Sequence, residues 1–418
     1  TAATSQNIED SSLERHFPED ALYKLLIAEF ALRRNFYPIA LSSYLEQARL
    51  LRDPGLSAYT TRIASFLRDS KAAQKAAKLW IQLDPEDPQA NLTLGELLMV
   101  SGNLLEALPY LGKAAIAGEE VNFSELLKQY ERLSAQEKIV LEQELSKLTL
   151  KLPDSSSALL ALSLLKKSNG ENKQALVFLQ RILNLNPNHR RAILLKSTIQ
   201  LDNGIPNALS EIRRAVKLNP EDSKLRLEYA KLLTRKDLDE SRKQFEILSA
   251  ESPKNSELLL SLALINKEIG DTFEAKAYLQ KLIKNRQKVN EAKTLLARIS
   301  EDENNIQEAL IHYFSVDDGP EFLFANSRIG SILLSANRTS DFANHFNLVR
   351  TRYTHLGEEL FLLEADLLSK NDYFDESLDV FSRGLSLYPD SINLRYNRSI
   401  IAETTNNLKL AEKDLRSI

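Results

Sequence analysis

Small and large apolar residues recur along this 418-residue chain at intervals of about 34 residues. A small residue occupies the first of two linked slots, at Ala107, Ala175, Ala208, Ala275, Ala309 and Ala411. A large apolar residue occupies the slot four positions later, at Leu111, Leu145, Leu179, Ile212, Phe245, Leu279, Tyr313, Phe381 and Leu415. An offset of four residues puts two side chains on one face of a helix. The pattern therefore predicts a helix in each period with these two slots on its buried side.

Glycine and proline keep the same interval and predict where the helices end. Glycines lie between two apolar-patterned segments, where a turn with positive φ favours that residue, at Gly102, Gly170, Gly204 and Gly270. Prolines follow the second segment, because proline cannot continue a helix, at Pro85, Pro153, Pro187, Pro220, Pro253 and Pro389. Each period therefore consists of helix, turn, helix and proline-containing turn, which is typical of a helical repeat array.

A repeat array also suits the length of the chain. A single core stops growing at about 250 to 300 residues, whereas each unit of an array packs only on its neighbours. We expect the array to occupy residues 18–418, and the polar segment TAATSQNIEDSSLERHF at residues 1–17 to be a linker or tail. The pattern stops at Ile418 in the middle of a second helix, so we expect further repeats after it.

The slots resemble the tetratricopeptide repeat (TPR), with a small residue at position 8, glycine near 15, alanine at 20, a large residue at 24 and proline at 32. The clearest copies are residues 88–121 and 256–288. Residues 122–155 are degenerate, because the turn glycine and the alanine are missing and Leu141 stands in the alanine slot. The resemblance implies an all-α, right-handed superhelical solenoid of about twelve helix-turn-helix repeats.

Composition and charge narrow the function classes. The chain has 54 basic and 58 acidic residues, and this lack of a basic excess argues against nucleic-acid binding. An RNA-reading pentatricopeptide array is also disfavoured, since the comparable first-helix positions here are mostly apolar. Cysteine is absent, which excludes disulfides, thiolate catalysis and cysteine-based zinc sites within these residues. No apolar run approaches the roughly 20 residues that span a bilayer.

The chain carries no recognisable catalytic motif. The five histidines show no metal-ligand spacing, at His16, His189, His312, His345 and His355. No HExxH, phosphate-binding loop or GxSxG motif occurs. We interpret His189 as a solvated turn residue and the acidic run at 301–303 as a solvated loop. The sequence therefore predicts no catalytic residue, no metal, no cofactor and no enzymatic activity.

In the TPR family, positions 2, 5, 9 and 12 of each first helix face the inner wall of the superhelix. The resemblance implies protein-binding residues at Gln89, Leu92, Glu96, Met99, Glu257, Leu260, Leu264, Lys267, Asn393 and Tyr396. This mixture of apolar and charged side chains suits a protein or peptide ligand. In the alternative interpretation, the leucines simply pack against adjacent helices. The carboxylate clamp of chaperone-binding TPR domains is not evident at these positions.

The first repeat carries a more specific resemblance. Residues 21–49 contain an AE-x-A helix, a basic-polar turn and an AL-x-x-Y-x-x-QA helix, through Ala28, Glu29, Ala31, Arg33, Arg34, Ala40, Leu41, Tyr44, Gln47 and Ala48. This opening resembles a family of Gram-negative outer-membrane TPR lipoproteins. Its best-known member is the adaptor of a periplasmic carboxy-terminal processing protease that removes peptidoglycan hydrolases. The resemblance implies partner contacts at Arg33, Arg34 and Tyr44. It also implies a periplasmic location, with membrane attachment only through a lipid anchor upstream of Thr1.

Two other functions remain open from the residues alone. One is a cytosolic TPR scaffold for another protein complex, and the other is the TPR part of a larger enzyme. A signal peptide with a lipid-bearing cysteine upstream would favour the lipoprotein, and a catalytic domain downstream would favour the enzyme.

Overall fold

The computed structural model describes residue 18 and residues 20–418. The regular structure of these residues is helical, without a β-strand. The chain divides into two compact units between Ala215 and Val216. The single array over residues 18–418 stays a prediction. The tail predicted for residues 1–17 lies outside the described residues.

The first unit consists of consecutive antiparallel helix pairs. Its helices are α1 (Ala21–Arg33), α2 (Tyr37–Leu51), α3 (Pro54–Phe66), α4 (Ser70–Leu83), α5 (Pro88–Val100), α6 (Leu104–Ile116), a 3-10 helix (Phe123–Arg132), α7 (Ala135–Lys151), α8 (Ser156–Ser168), α9 (Asn172–Leu185), α10 (Arg190–Asp202) and α11 (Ser210–Leu218). The boundary between the units falls inside α11.

The second unit repeats the same helix-pair arrangement. Its helices are α12 (Ser223–Leu233), α13 (Leu238–Glu251), α14 (Ser256–Ile269), α15 (Thr272–Lys284), α16 (Val289–Asp302), α17 (Ile306–Phe314), α18 (Phe322–Ser335), α19 (Thr339–Arg352), a 3-10 helix (Thr354–Leu356), α20 (Gly357–Lys370), α21 (Phe374–Leu387), α22 (Ile392–Thr404) and α23 (Leu408–Arg416). The described helices thus form twelve pairs, as the period predicted.

The helix ends confirm the turn positions that proline and glycine predicted. The six prolines named above each follow the end of a second helix by two residues. The four turn glycines have φ between 65° and 92°, in the region that disfavours other residues. Aspartates cap many first turns, since their side chains accept hydrogen bonds from otherwise unpaired backbone N–H groups. Asp87 does so for Gln89 and Ala90, while its other oxygen accepts from the Trp80 indole at 2.9 Å.

The paired slots form the core of each unit. The alanines of the small slot are at most 6% exposed, and the large-slot side chains are at most 3% exposed except Leu415, at 52%. Leu415 lies on α23, which packs on α22, and no further helix follows it in the described residues. Position 8 must be small because the helices approach closely there. A Cβ atom on Gly95 would lie 2.6 Å from the Leu111 side chain.

Two repeats depart from the predicted pattern. In 189–221, Ala208 lies in the turn before α11 rather than at its start, although it is buried. In 122–155 the first element is a 3-10 helix, a tighter form in which each residue rises about 2.0 Å. The second helix of that repeat, α7, begins with a capping box between Ser134 and Glu137.

Candidate protein-binding surfaces

Helix α1 presents a group of exposed apolar side chains, which we call the α1 surface. It consists of Leu22, Tyr23, Leu26, Ile27 and Phe30, which are 60%, 67%, 47%, 37% and 59% exposed. Tyr23, Ile27 and Phe30 follow helical i, i+4, i+7 spacing, so they form one stripe. The opposite side of α1 is buried through alanines. Exposed apolar groups of this kind mark interaction sites on soluble proteins.

The first-repeat motif forms the core beneath this surface. Tyr44 is 3% exposed, its hydroxyl donates to Glu29 at 2.9 Å, and its ring packs edge-on against Tyr59. Burial raises the pKa of Tyr44 above its usual range. Hydrogen bonds from Arg33 and then Tyr44 lower the pKa of Glu29. The prediction that Tyr44 contacts a partner is therefore corrected, because a core side chain offers no surface.

The other two predicted contacts in this repeat are exposed. Arg33 pairs with Glu29 at 2.9 Å and its side chain is 73% exposed. Arg34 is also exposed and follows the last residue of α1. Exposed pairs of this type contribute at most about 1 kcal/mol, so Arg33 can exchange its partner at low cost.

The predicted inner-wall residues of α5 differ in exposure. Gln89 and Glu96 are exposed, whereas Leu92 and Met99 are partly buried and pack against the core of the first unit. On α5, the polar inner-wall positions are therefore accessible to a ligand, whereas the apolar positions contribute mainly to packing against adjacent helices.

In the second unit, the predicted inner-wall residues also differ in exposure. Leu264 is 42% exposed, and Tyr396 is 51% exposed beside the exposed Asn393. Leu260 is only 7% exposed and lies in a core cluster with residues of α15 and α16. Its predicted role in binding is corrected, because packing against neighbouring helices accounts for it.

The charged residues of this wall are paired. Glu257 lies 3.0 Å from the Lys288 ammonium group, and Lys267 lies 3.0 Å from Asp302. Glu257 and Asp302 are mostly exposed, so these pairs are weak. The wall of α14 thus presents one apolar side chain, Leu264, between exchangeable charges, which suits a peptide or protein ligand.

The acidic run at 301–303 is not the solvated loop that the sequence predicted. Glu301 lies in the last turn of α16 and accepts hydrogen bonds from Tyr313 at 2.5 Å and Arg328 at 2.6 Å. Burial raises the pKa of Glu301, but the hydrogen bonds from Arg328 and Tyr313 act against it and leave the pKa lowered. His189 likewise has a structural role, since its Nδ1 accepts from the Ala192 N–H at the start of α10.

A buried ion pair in the second unit was not foreseen from the sequence. Glu364, on α20, is 1% exposed and accepts a hydrogen bond from Arg350, whose guanidinium also lies 4.2 Å from the centre of the Phe361 ring. Arg383 lies 3.7 Å from the other carboxylate oxygen. Charged residues at single positions leave no trace in a 34-residue period, so no signal pointed to them.

A cavity of about 130 Å³ lies among α17, α18 and α19, with an aromatic lining that includes Phe314 and Phe322. His345 borders it, and its Nε2 lies 2.7 Å from the Asn326 carbonyl oxygen. The Asn326 amide nitrogen donates to the backbone carbonyl of Phe322, so the histidine Nε2 must carry the proton. Burial lowers the pKa of His345 to about 4.

The partly buried His345 predicts a pH-dependent stability. Because its folded pKa lies below the unfolded value of about 6.5, the unfolded chain binds the proton more tightly between these values. The contribution is complete above pH 6.5 and is lost as the pH falls towards 4; between pH 7.5 and 4.5 the loss is about 2.5 kcal/mol. His345→Gln keeps a donor for Asn326 and does not titrate. We expect the difference in unfolding free energy between parent and variant, measured by denaturant titration, to shift by that amount between pH 7.5 and 4.5; a constant difference would contradict it.

Within residues 20–418, no three histidine, aspartate or glutamate side chains are grouped so that they could hold a metal ion. None of the described helices has the length and apolar character needed to cross a membrane.

Comparison with known proteins identifies the class of the chain. No protein-family model matches it. The TPR repeat-containing protein PA4667 of Pseudomonas aeruginosa is 32% identical over 405 residues, which cover 96% of this chain and 68% of the relative. This chain belongs to that TPR protein family. TPR proteins are in general non-catalytic scaffolds that bind other proteins, and this is the role that family membership supports.

Solved TPR structures are also similar, at low scores. A TPR protein from Parabacteroides merdae is 17% identical, with a TM-score of 0.39 over 64% of this chain and 95% of that one. Yeast Tom70 is 14% identical, with a TM-score of 0.36 over 94% of this chain and 96% of that one. The all-α TPR fold predicted from the sequence is confirmed by the helix pairs of the chain itself and by the relative.

Proposed function

We propose that this TPR protein is an adaptor of the LbcA type, anchored to the outer membrane by a lipid and working in the periplasm. In this role it binds a carboxy-terminal processing serine protease and delivers peptidoglycan hydrolases to it. The proposal is supported by the similarity to PA4667 along 96% of the chain and by the first-repeat motif at residues 21–49. The relative's name states only that it contains TPR repeats. The assignment of the protease and its substrates as partners therefore rests on the first-repeat motif.

The α1 surface is the observation that carries the proposal. The buried motif residues fix the geometry of the first hairpin, and that hairpin holds Tyr23 and Phe30 in the solvent. Aromatic side chains supply much of the binding free energy at protein interfaces because they bury a large area with few rotatable bonds. Arg33 and Arg34 border the carboxyl end of α1 and add polar contacts at the rim. We assign this surface to the protease.

An adaptor of this kind needs no catalytic residue. Holding protease and substrate on one chain raises their effective concentration and so accelerates cleavage. Leu264 and Tyr396 are two exposed apolar residues of the second unit at predicted inner-wall positions, and we assign them to substrate capture. Leu264 lies among charges that can exchange partners. Each contact is then weak alone, which allows the substrate to be released to the protease.

Affinity purification of the full-length protein from its native membrane fraction, followed by mass spectrometry, tests the proposal. We expect a PDZ-containing serine protease and peptidoglycan hydrolases to be recovered in amounts comparable to the bait. Recovery of cytosolic proteins alone would instead support the general scaffold, and recovery of a continuous chain with a catalytic domain would support the larger enzyme. Either result would overturn the adaptor.

A further inference from the structure

An apolar groove opens between α6 and α7 in the first unit, with a volume of about 520 Å³. Its lining residues are Leu108, Pro109, Gly112, Lys113, Ile116, Glu144, Lys147, Leu148, Leu150 and Lys151. Leu108 and Leu148 form a floor that is 4% and 7% exposed, whereas Ile116 and Leu150 are 55% and 82% exposed at its sides. We call this feature the α6–α7 groove. None of its residues belongs to the surfaces assigned above.

A glycine and a proline border the groove on the α6 side. A Cβ on Gly112 would lie 3.2 Å from Leu148, so the glycine lets α7 come close without filling the space beside it. Pro109, one turn earlier, lines the groove and stands inside the helix, where proline is unfavourable. Both residue types are unfavourable inside a helix, and the missing side chain of Gly112 leaves space open beside Leu148.

The rim of the groove is basic in a chain whose net charge is −4. The lining includes three lysines and one glutamate. Lys147 pairs with Glu144 at 2.7 Å along its own helix. Lys113 pairs with Glu86 at 3.3 Å, and both side chains are more than half exposed. Lys151 has no ion-pair partner among the described residues, so its positive charge at the edge of the groove is not neutralised by an ion pair.

We propose that the α6–α7 groove binds an acidic amphipathic helix of a partner protein. Its α6 wall runs from Leu108 to Ile116, nine residues whose eight helical steps rise about 12 Å, so the occupant contributes roughly two helical turns. Apolar side chains at i, i+4 and i+7 enter the trough, and Asp or Glu side chains beside them meet Lys147 and Lys151. This inference does not depend on the protease assignment, because any acidic helix of that pattern would fit.

Fluorescence anisotropy with the full chain tests the groove directly. The probe is a labelled 14-residue peptide with leucines at i, i+4 and i+7 flanked by glutamates, and its control is the same peptide with lysines in place of the glutamates. We expect the acidic peptide to bind and the basic one to fail. Binding should weaken at high salt, since exposed charges are screened over about 8 Å at physiological ionic strength.

Two variants locate the binding. The double variant K147E/K151E reverses the rim charge at exposed positions and should weaken binding of the acidic peptide at least tenfold. Leu150→Ser should also weaken binding of this peptide, without changing the charge of the groove. The matched control is K71E/K75E, which reverses two exposed lysines with the same i, i+4 spacing on α4 of the same unit. This control should bind the acidic peptide with a Kd within twofold of that of the parent chain.

Three results would overturn the proposal. One is no binding of the acidic peptide to the parent chain, and another is equal loss in K147E/K151E and K71E/K75E. The third concerns membranes, which also combine apolar and negative groups. If phosphatidylglycerol vesicles bind the parent, and K147E/K151E abolishes that binding while the acidic peptide is unaffected, the groove is a lipid site instead.

Discussion

Replacing Arg350 with methionine is expected to lower the free energy of unfolding by about 3 kcal/mol, because removing the hydrogen-bonded partner of a buried carboxylate leaves its charge poorly compensated. Glu364 is 1% exposed, and Arg350 is its hydrogen-bonded partner on α19. Burial raises the pKa of Glu364, and the Arg350 charge acts against that shift. Without Arg350, Glu364 keeps only Arg383, which is 42% exposed and lies 3.7 Å from its other carboxylate oxygen. The carboxyl group must then take up a proton or remain poorly compensated in the core, and both cost stability. Methionine keeps most of the packing over Phe361.

Hydrogen exchange and denaturant titration at pH 7 measure this effect. Repeat arrays unfold in parts, so exchange in residues 339–388 reports the local change that a single global midpoint averages out. The matched control is Arg352→Met on the same helix, since Arg352 is 69% exposed and lies 3.6 Å from Asp317. We expect it to cost less than about 0.5 kcal/mol. Equal effects of the two variants would show that Arg350 acts only at the surface.

A second variant of the buried pair separates its charge from its packing. In R350M/E364L both charges are replaced by apolar side chains, and buried pairs replaced in this way often regain stability. We expect the double variant to recover at least half of the loss seen in R350M. A double variant that is less stable than R350M would mean that Glu364 has a favourable role beyond its pair.

Removing the two aromatic side chains of the α1 surface, in Y23S/F30S, is expected to weaken binding of the protease about 1,000-fold. Both side chains are more than half exposed, so the change should leave the melting temperature within about 1 °C of the parent. Two aromatic contacts at the centre of an interface contribute roughly 2 kcal/mol or more each when they are buried by a partner. Biolayer interferometry with the purified protease measures the change in Kd.

The control for this prediction is V177S/F273S, which removes two apolar side chains that are 67% and 79% exposed on α9 and α15. It should bind the protease within twofold of the parent. If Y23S/F30S also binds normally, the α1 surface is not the protease site. If Y23S/F30S loses its helical circular dichroism, the aromatic residues are structural and the assignment of the surface fails.

The period of the sequence predicted the fold because its slots follow backbone and packing demands. Proline must end a helix, glycine tolerates positive φ, and Ala107 with Leu111 must fill the space between two helices, so these choices recur in each repeat. The 3-10 helix at Phe123–Arg132 was not predicted, since a degenerate repeat shows only that the pattern is lost and not what replaces it.

The binding residues were harder to predict, for a physical reason. A family motif is most visible where a side chain is constrained on all sides, and such residues are in the core. Tyr44 and Leu260 were therefore taken as contacts although they are buried. The exposed Tyr23 and Phe30 belong to no slot, and Arg350 and Glu364 meet only in the folded chain. Tyr23, Phe30, Arg350 and Glu364 therefore leave no signal in the 34-residue period of the sequence.

Degradation of a purified peptidoglycan hydrolase by its carboxy-terminal processing protease, with and without this TPR protein, tests the central claim most directly. The account predicts at least a tenfold faster loss of the hydrolase when the TPR protein is present, no cleavage by the TPR protein alone, and no acceleration by Y23S/F30S. An identical rate of degradation with and without the folded TPR protein would contradict it.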